Sequence, residues 1–213
     1  MSLVDIETIS RAELEQDPFG HAVIPRSFVT DAVAENLRGE FSDAGFEESE
    51  RTDLNRSDKQ YRMFNRNLVT AGAVDEDQVR TLPANWQQLV ADVVSQPYRE
   101  ALSALTGVDL ERSLVEARMT RYARGCWIEP HTDRPDKAVT HLFYFNDGWD
   151  PEWSGDLRLL RSADMDDCAK RVAPTTGTSV VLVRSDRSWH GVPPVADTCP
   201  VDRRALLVHF VRP

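Results

Sequence analysis

The sequence predicts an α+β protein that is mainly β, with an antiparallel barrel or jelly roll in the C-terminal half and helices before it. After Asp109, short β-branched or apolar runs follow one another with turn residues between them and no intervening helix. Before Asp109, apolar residues recur at helical spacing instead. The 213 residues suffice for one sizeable hydrophobic core, which favours a single domain.

Two helical stretches are predicted before the barrel. The first covers about residues 30–45, begins at Thr30 as N-cap, and has apolar residues at four-residue intervals: Val33, Leu37 and Phe41. The second covers about residues 83–105 and is divided at Pro97, because proline interrupts a helix. Residues 51–69, between them, are polar and basic without a clear period, which indicates a loop or short strands near a ligand.

Five strands are predicted after Asp109 from their composition and flanking turn residues. They cover residues 114–122, 139–145, 156–160, 178–183 and 204–211.

Composition and charge narrow the class of protein. The net charge of −10 weighs against binding to nucleic acid or to anionic membranes. The first twenty residues carry acids and no apolar stretch, so we expect no secretory leader and a cytoplasmic location. The three cysteines are widely spaced, which indicates neither a disulfide framework nor a thiolate zinc site.

The triplet His131-Thr132-Asp133 predicts part of a metal site. In an extended segment, residues two apart point to the same face, so the imidazole and the carboxylate converge. A third ligand must come from elsewhere, and the candidates are His21, His141, His190 and His209. His190 is the best of these because it follows the strongest predicted strand. Two histidines and one carboxylate form the facial triad that suits non-haem Fe(II).

An arginine pair follows at Arg203-Arg204, at the start of the last predicted strand. Alternation places Arg203 on one face of this strand and Arg204 on the other. A dicarboxylic cosubstrate that chelates a metal at one end needs a fixed cation for its far carboxylate. Either arginine could supply that cation, and the other would then face solvent.

The C-terminal half resembles the Fe(II)- and 2-oxoglutarate-dependent dioxygenases, and within them the prolyl hydroxylase branch. The similarity covers about residues 114–213 and leaves the N-terminal half unmatched. It rests on four blocks in the order typical of that branch, at residues 121–133, 138–146, 149–158 and 185–190.

The resemblance implies a double-stranded β-helix (jelly-roll or cupin-like) core with N-terminal helices packed on the major sheet. We expect one oxygenase domain over 1–213, in which 1–112 form the helical part with substrate-side loops and 113–213 form the core with the metal site. The implied cofactor is Fe(II), the cosubstrates are 2-oxoglutarate and O2, and ascorbate is a supporting reductant. The implied reaction hydroxylates an unactivated C–H bond and yields succinate and CO2.

The resemblance also implies roles for individual residues. Its iron ligands are His131, Asp133 and His190, and Arg203 matches the position that binds the far carboxylate of 2-oxoglutarate. The other residues expected at the cosubstrate are Tyr144, Tyr122 and, from its place on the strand face of Tyr144, Thr140. Asp133 separates this sequence from members that halogenate, which lack the carboxylate.

Two positions depart from the pattern of the branch. Leu207 stands where a hydroxyl residue is common, and His209 stands where tryptophan is common, so the cosubstrate pocket is expected to be lined differently.

The substrate signal is weaker. A basic run interleaved with aromatics could receive an anionic substrate or could be a solvated loop; its members are Arg51, Arg56, Lys59, Tyr61, Arg62, Phe64 and Arg66. Further pocket candidates by strand position are Arg118, Arg121 and Trp127. The substrate candidates kept from these sets are Arg62, Arg66, Arg118 and Trp127.

Several functions are compatible with these residues. The first is hydroxylation of a prolyl or other residue in a peptide or protein, and the second is hydroxylation of a free amino acid or small metabolite. The third is a cupin-like metal-binding module or zinc enzyme, against which Arg203 and Tyr144 argue. A nucleic-acid dealkylase is disfavoured by the acidic charge.

Overall fold

The computed structural model describes residues 2–52 and 59–213. The helices in these residues are α1 (Ile6–Ser10), α2 (Asp31–Gly39), α3 (Glu76–Arg80), α4 (Ala84–Val93), α5 (Gln96–Thr106) and a short 3-10 helix (Pro151–Trp153). The strands are β1 (His21–Ile24), β2 (Glu47–Arg51), β3 (Tyr61–Thr70), β4 (Ala73–Val74), β5 (Leu114–Tyr122), β6 (Trp127–His131), β7 (Lys137–Tyr144), β8 (Leu157–Leu160), β9 (Cys168–Val172), β10 (Ser179–Val183), β11 (His190–Val192) and β12 (Arg203–Val211). No helix in the described residues is long and apolar enough to cross a membrane.

All of the named strand pairs are antiparallel, and they form one sheet that curls into a nearly closed barrel. Its order is β1-β10-β7-β12-β5-β3-β6-β11-β8-β9, and β2 and β4 also pair with β3. Strands that are distant in sequence are therefore neighbours, as in a double-stranded β-helix. The predicted fold class, mainly β with a jelly-roll core, is confirmed.

The two predicted helical stretches and the five predicted strands are present, but α2 ends at Gly39 rather than near residue 45, and the sequence pattern does not predict the short strands β1, β6, β9 and β11. Helix α2 begins after Thr30, whose side chain accepts a hydrogen bond from the Val33 amide at 3.2 Å. The second helical stretch is divided into α4 and α5 near the predicted break, with Ser95 as the N-cap of α5. The segment 51–69, expected as a loop or short strands, instead contains most of the ten-residue β3. Pairing with β5 and β6 stabilises this strand despite its weak local period.

Strand alternation divides the buried residues into two clusters. One face of β5, β7 and β12 packs against the helices, with Phe143 and Phe210 at its centre. The opposite face lines the barrel interior and includes Tyr122, Tyr144 and Ala205. The helices thus pack on the outer face of the sheet, and its inner face lines a cavity.

His141 joins the helical layer to the sheet. Its Nδ1 lies 2.7 Å from the Tyr98 hydroxyl on α5, and its Nε2 lies 2.8 Å from Ser179 Oγ on β10. Burial lowers the pKa of His141 to about 3.

We expect this histidine to make folding stability depend on pH. Its pKa is depressed in the folded state, so only the unfolded chain takes up its proton as pH falls below about 6.5. The free energy of unfolding then falls by about 1.4 kcal/mol per pH unit from this group. Denaturant unfolding of the wild type and of His141→Gln between pH 7.5 and 5 checks this, since the variant should lose that part of the dependence. Identical pH profiles would contradict it.

Candidate metal centre

Two histidines face each other across neighbouring strands of the barrel. His131 ends β6 and His190 begins β11, and the two are direct partners in the antiparallel register. Their ring centroids lie 4.3 Å apart. Asp133 follows two residues after β6, and the three side chains offer ligand atoms that lie within 4.8 Å of one another. Strand pairing therefore brings together the predicted triad, although Asp133 itself lies beyond the end of the strand.

Gly191 allows β11 to approach β6 closely enough for this pairing. A Cβ at this position would lie 3.1 Å from both Ile128 O and Pro130 N, and 2.8 Å from the Met165 methyl. Backbone atoms cannot move aside easily, so a side chain at Gly191 would displace the strand that carries His190.

Backbone carbonyls fix the orientation of both imidazoles. Nδ1 of His131 lies 2.8 Å from Glu129 O, and Nδ1 of His190 lies 2.9 Å from Ser188 O. The Nδ1–H group donates in each case, which leaves the Nε2 lone pair free for a metal. Burial lowers the pKa of both histidines, which keeps the rings in the neutral form that a metal requires.

A closed ring of hydrogen bonds holds the Asp133 carboxylate. Lys137 Nζ donates to Asp133 Oδ1 at 2.9 Å and to His209 Nε2 at 3.1 Å. The Thr140 hydroxyl donates to Asp133 Oδ2 at 2.7 Å and accepts from His209 Nδ1 at 2.9 Å. All four side chains are buried, and a neutral His209 protonated on Nδ1 gives each of the four hydrogen bonds in the ring one donor and one acceptor.

Charges in this ring keep the carboxylate ionised. Burial is the largest single effect and would raise the pKa of Asp133, but the Lys137 ammonium and the three neighbouring histidines together outweigh it, and the pKa lies well below its ordinary value. Burial, followed by the Lys137 ammonium, holds the pKa of His209 well below its ordinary range. An anionic Asp133 beside two neutral imidazoles is the donor set of a divalent cation.

The triad borders an inner cavity with about 530 Å³ of empty space, part of it open to solvent. Arg203 lines the same cavity and is 1% exposed. Its guanidinium lies over the rings of Tyr122 and Tyr144, at 5.0 Å and 5.1 Å from their centroids, and its NH2 group lies 3.4 Å from the Tyr144 hydroxyl. Among the described residues, no carboxylate forms an ion pair with Arg203, and its Nε has no hydrogen-bond partner.

Strand alternation decides which arginine enters the cavity. Arg203 and Leu207 on β12 line the cavity. Arg204 lies on the opposite face, where it pairs with Asp43 at 3.0 Å and covers the Phe41 ring. The buried arginine is thus Arg203, and Arg204 binds at the edge of the helical layer.

A second, larger opening adjoins the inner cavity; we call it the outer cleft. It shares Lys59, Arg118 and His131 with the inner cavity. Its own lining includes Tyr61 and Asn65 of β3 and residues of the other strands and loops at the barrel mouth. The metal position therefore lies between the inner cavity and the larger outer cleft.

Known proteins are similar to part of this sequence and to its fold. Residues 117–212 match the model of the 2OG-Fe(II) oxygenase superfamily. The matched range contains the triad, its hydrogen-bond ring and the buried arginine. Residues 117–212 therefore form a domain of the 2OG-Fe(II) oxygenase superfamily. The cofactor and cosubstrates are accordingly Fe(II), 2-oxoglutarate and O2, and the protein is a dioxygenase.

Solved structures show the same fold at low sequence identity. A Pseudomonas putida prolyl-4-hydroxylase is 20% identical, with a TM-score of 0.65, and the match covers 97% of this chain and 100% of that one. A Trichoplax adhaerens prolyl hydroxylase in complex with a hypoxia inducible factor peptide fragment is 16% identical, with a TM-score of 0.62 over 97% and 90% of the two chains. The viral collagen prolyl hydroxylase of Paramecium Bursaria Chlorella virus-1, in its 2-oxoglutarate complex, is 12% identical, with a TM-score of 0.58 over 93% and 99%. No curated protein matches the sequence.

The residues of this oxygenase fit the groups that its superfamily uses. Two neutral imidazoles and one carboxylate offer the donors that Fe(II) accepts and leave open positions on the metal. Arg203 is a buried cation without a counter-charge in the described residues, and a dicarboxylate would supply one. The chemistry of these side chains therefore fits both the metal and the dicarboxylate.

Three of the four predicted substrate residues lie away from both openings. Arg62 is exposed and pairs with Glu48 at 2.7 Å, and Trp127, its partner across the strands, lines neither opening. Arg66 is buried among hydrogen-bond acceptors, including Ala44 O at 3.1 Å and Gln78 O at 2.9 Å, which makes it a structural residue. The period of β3 explains this, since its odd-numbered residues Tyr61, Met63, Asn65 and Asn67 face the cleft. Arg118 does line both openings, whereas Arg56 lies outside the described residues.

The other candidate ligand histidines lie elsewhere. His141 is in the helix-facing core, and His21 binds Phe19 O at 2.8 Å. His209 belongs to the ring around Asp133. Thr140 lines the cavity, but its hydroxyl is engaged by Asp133 and His209.

Sequence reasoning missed Lys137. Alternation along β7 puts Thr140, Leu142 and Tyr144 on the inner face, which places Lys137 on the outer one. The register shifts between Phe210 and Val211, opposite the start of β7, and this irregularity turns the Lys137 side chain toward the cavity. The spacing of Asp133 and Lys137 offers no signal of such a shift.

Proposed function

We propose that this oxygenase is a 2-oxoglutarate-dependent hydroxylase in which His131, Asp133 and His190 bind Fe(II) and Arg203 binds the far carboxylate of 2-oxoglutarate. The observation that carries the proposal is the Arg203 side chain, buried and without an ion-pair partner among the described residues, in the cavity that also contains the triad. A buried charge is costly to fold around unless a partner is supplied. The dianionic cosubstrate is that partner.

Two tyrosines complete the carboxylate site. The Tyr144 hydroxyl accepts from Arg203, and burial raises the pKa of Tyr144 to about 12, so its O–H remains protonated and can donate to the cosubstrate. The Tyr122 ring covers the other side of the guanidinium, and its hydroxyl donates only weakly, to Met63 Sδ at 3.5 Å. Thr140 acts on the metal side instead, where it orients Asp133.

The remaining lining keeps water away from the metal. When bound, Fe(II) with 2-oxoglutarate activates O2, so that one oxygen atom enters the substrate and the other enters succinate as CO2 leaves. Ile128, Leu142, Val192 and Leu207 give the inner cavity apolar walls. Met63 belongs to β3, which pairs with β5 and β6, so we propose that the N-terminal part and the jelly-roll core act as one oxygenase unit.

The proposed substrate is a prolyl or other amino-acid residue in a peptide. Support comes from the prolyl hydroxylases of the same fold, one of them solved with a peptide, and from the open outer cleft beside the metal position. A free amino acid or small metabolite is the second candidate. Lys59 and Arg118, which line both openings, favour this second candidate, because their cationic side chains can bind a free carboxylate.

Incubation with both kinds of substrate tests the proposal. The enzyme with Fe(II), 2-oxoglutarate and O2 is given proline-containing peptides in one series and free amino acids in the other. We expect succinate and a product heavier by one oxygen atom, in equal amounts. Oxygenated product in the amino-acid series alone would overturn the peptide assignment, and a metal-loaded protein that never consumes 2-oxoglutarate would overturn the hydroxylase.

A further inference from the structure

Two cationic side chains lie where the inner cavity opens into the outer cleft. Arg118 on β5 and Lys59, just before β3, line both spaces. Arg118 is opposite Leu207 of β12 and Asn67 of β3 in the sheet register, so it points into the barrel mouth. The lining around a molecule that spans the two spaces therefore includes these two cationic groups.

Neither group forms an ion pair within the described residues. Arg118 forms no hydrogen bond or ion pair there, and its Nε is buried without a partner. Lys59 likewise makes no ion pair with the described carboxylates. Burial, with repulsion from Lys137 and Arg118 added to it, lowers the pKa of Lys59 to about 8 against the opposing effect of Asp133.

The nearby carboxylates are already engaged. Glu129 accepts a hydrogen bond from the Gln60 amide at 2.9 Å, and Glu116 faces Arg134 at 4.0 Å. Asp133 is held by Lys137 and Thr140. Among the described residues that line the inner cavity there are four lysines and arginines but one carboxylate, so positive charge remains even after a dicarboxylate neutralises Arg203.

Comparison with Arg66 shows that Arg118 is not a structural arginine. Arg66 is buried, and its nitrogens donate hydrogen bonds to Ser42, Ala44, Gln78 and Thr81. A structural role gives a buried guanidinium such acceptors, because an unsatisfied donor costs about 1–3 kcal/mol. Arg118 has a cavity in front of it instead.

We propose that Arg118 and Lys59 bind a carboxylate of the substrate at the boundary between the inner cavity and the outer cleft. This inference rests on the proposed function, because it takes the metal and 2-oxoglutarate as already bound. It defines the substrate class as one with a carboxylate within reach of the oxidised carbon. The carboxylate belongs either to a free amino acid or related small acid, or to an acidic side chain of a peptide.

Binding of matched acid and amide probes tests the proposal without turnover. The probes are N-acetyl-L-proline, its neutral counterpart N-acetyl-L-prolinamide, and a capped proline peptide with one glutamate. Each is added to the enzyme loaded with Mn(II) and saturating 2-oxoglutarate, and broadening of the probe's proton resonances by Mn(II) reports binding close to the metal. We expect broadening of at least one acid and none of the amide, and whichever acid responds shows where the carboxylate comes from.

Variants separate a binding role from a structural one. We expect Arg118→Met to weaken binding of the responding acid about 10- to 100-fold, Lys59→Met to weaken it less, and Arg118→Lys to restore part of it. Arg62→Met, an exposed arginine on the opposite face of β3, is the control and should change nothing. The melting temperature of Arg118→Met without ligands should not fall, because the Arg118 side chain forms no hydrogen bond or ion pair within the described residues.

Failure of this inference can be distinguished from failure of the proposed function. If the wild type holds neither Mn(II) nor 2-oxoglutarate, both are overturned. If the wild type holds both, three results would each overturn the carboxylate site alone. In the first, no acid probe is broadened; in the second, the amide binds as well as the acid; in the third, Arg118→Met binds the acid as the wild type does.

Discussion

Asp133→Ala is expected to abolish turnover and to weaken Fe(II) or Mn(II) binding by more than about 100-fold. Loss of a residue that only hydrogen-bonds to a metal ligand costs less than this. The variant loses the anionic ligand of the triad. It also leaves the Lys137 ammonium, 2.9 Å from the carboxylate in the wild type, without its counter-charge beside the metal position. A buried cation there repels a divalent ion. Metal content after anaerobic loading and gel filtration measures the effect.

Asp136→Ala is the matched control. Asp136 lies three positions further on, is exposed, and pairs with Arg134 at 3.1 Å outside the cavity. This variant should retain metal and activity, whereas His131→Ala and His190→Ala should behave like Asp133→Ala. Equimolar metal retained by Asp133→Ala or by His190→Ala would show that the ligand set is misassigned.

Arg203→Met is expected to raise the 2-oxoglutarate concentration for half-maximal turnover about 10- to 100-fold. The charge-assisted hydrogen bonds that it removes are worth about 1.5–3 kcal/mol each. Without ligands, the variant should be at least as stable as the wild type, because it removes a buried cation that has no ion-pair partner among the described residues. With metal held constant, 2-oxoglutarate at about one hundred times its dissociation constant should raise the wild-type melting temperature by about 5–10 °C and that of the variant much less.

Arg204→Met separates this effect from a general loss of positive charge. Arg204 is adjacent in sequence but faces Asp43 on the other side of β12. Its replacement should leave the 2-oxoglutarate requirement unchanged. A raised requirement in Arg204→Met together with a normal one in Arg203→Met would contradict the assignment of Arg203.

The inner face of the barrel could be predicted from the sequence because regular strands obey one rule. Alternation along β12 predicts that Arg203 and Arg204 face opposite sides, the family resemblance selects Arg203, and the structure has Arg203 on the cavity side and Arg204 outside. The pairing of His131 with His190 depends on two strands far apart in the chain. The sequence predicts it only through the position of His190 after a strong strand and through the resemblance of the surrounding blocks to a known family.

What could not be predicted depends on irregular pairing and on tertiary contacts. Lys137 reaches Asp133 through a shift of register at Phe210 and Val211, which local sequence does not encode. The sequence of strand β3 shows no clear alternation of apolar and polar residues. The side of the strand on which Arg66 lies therefore could not be predicted from the neighbouring residues. Only the tertiary structure shows that Arg66 is satisfied by Ala44 and Gln78 while Arg118 is not.

Anaerobic addition of Fe(II) and then 2-oxoglutarate to the purified protein tests the central claim most directly. The claim is that the triad and Arg203 together form one site for metal and cosubstrate. We expect a weak visible charge-transfer band that saturates with one equivalent of Fe(II), is absent in Asp133→Ala, and needs more 2-oxoglutarate in Arg203→Met. A wild-type protein that shows no band and instead binds zinc tightly at this site would contradict the account.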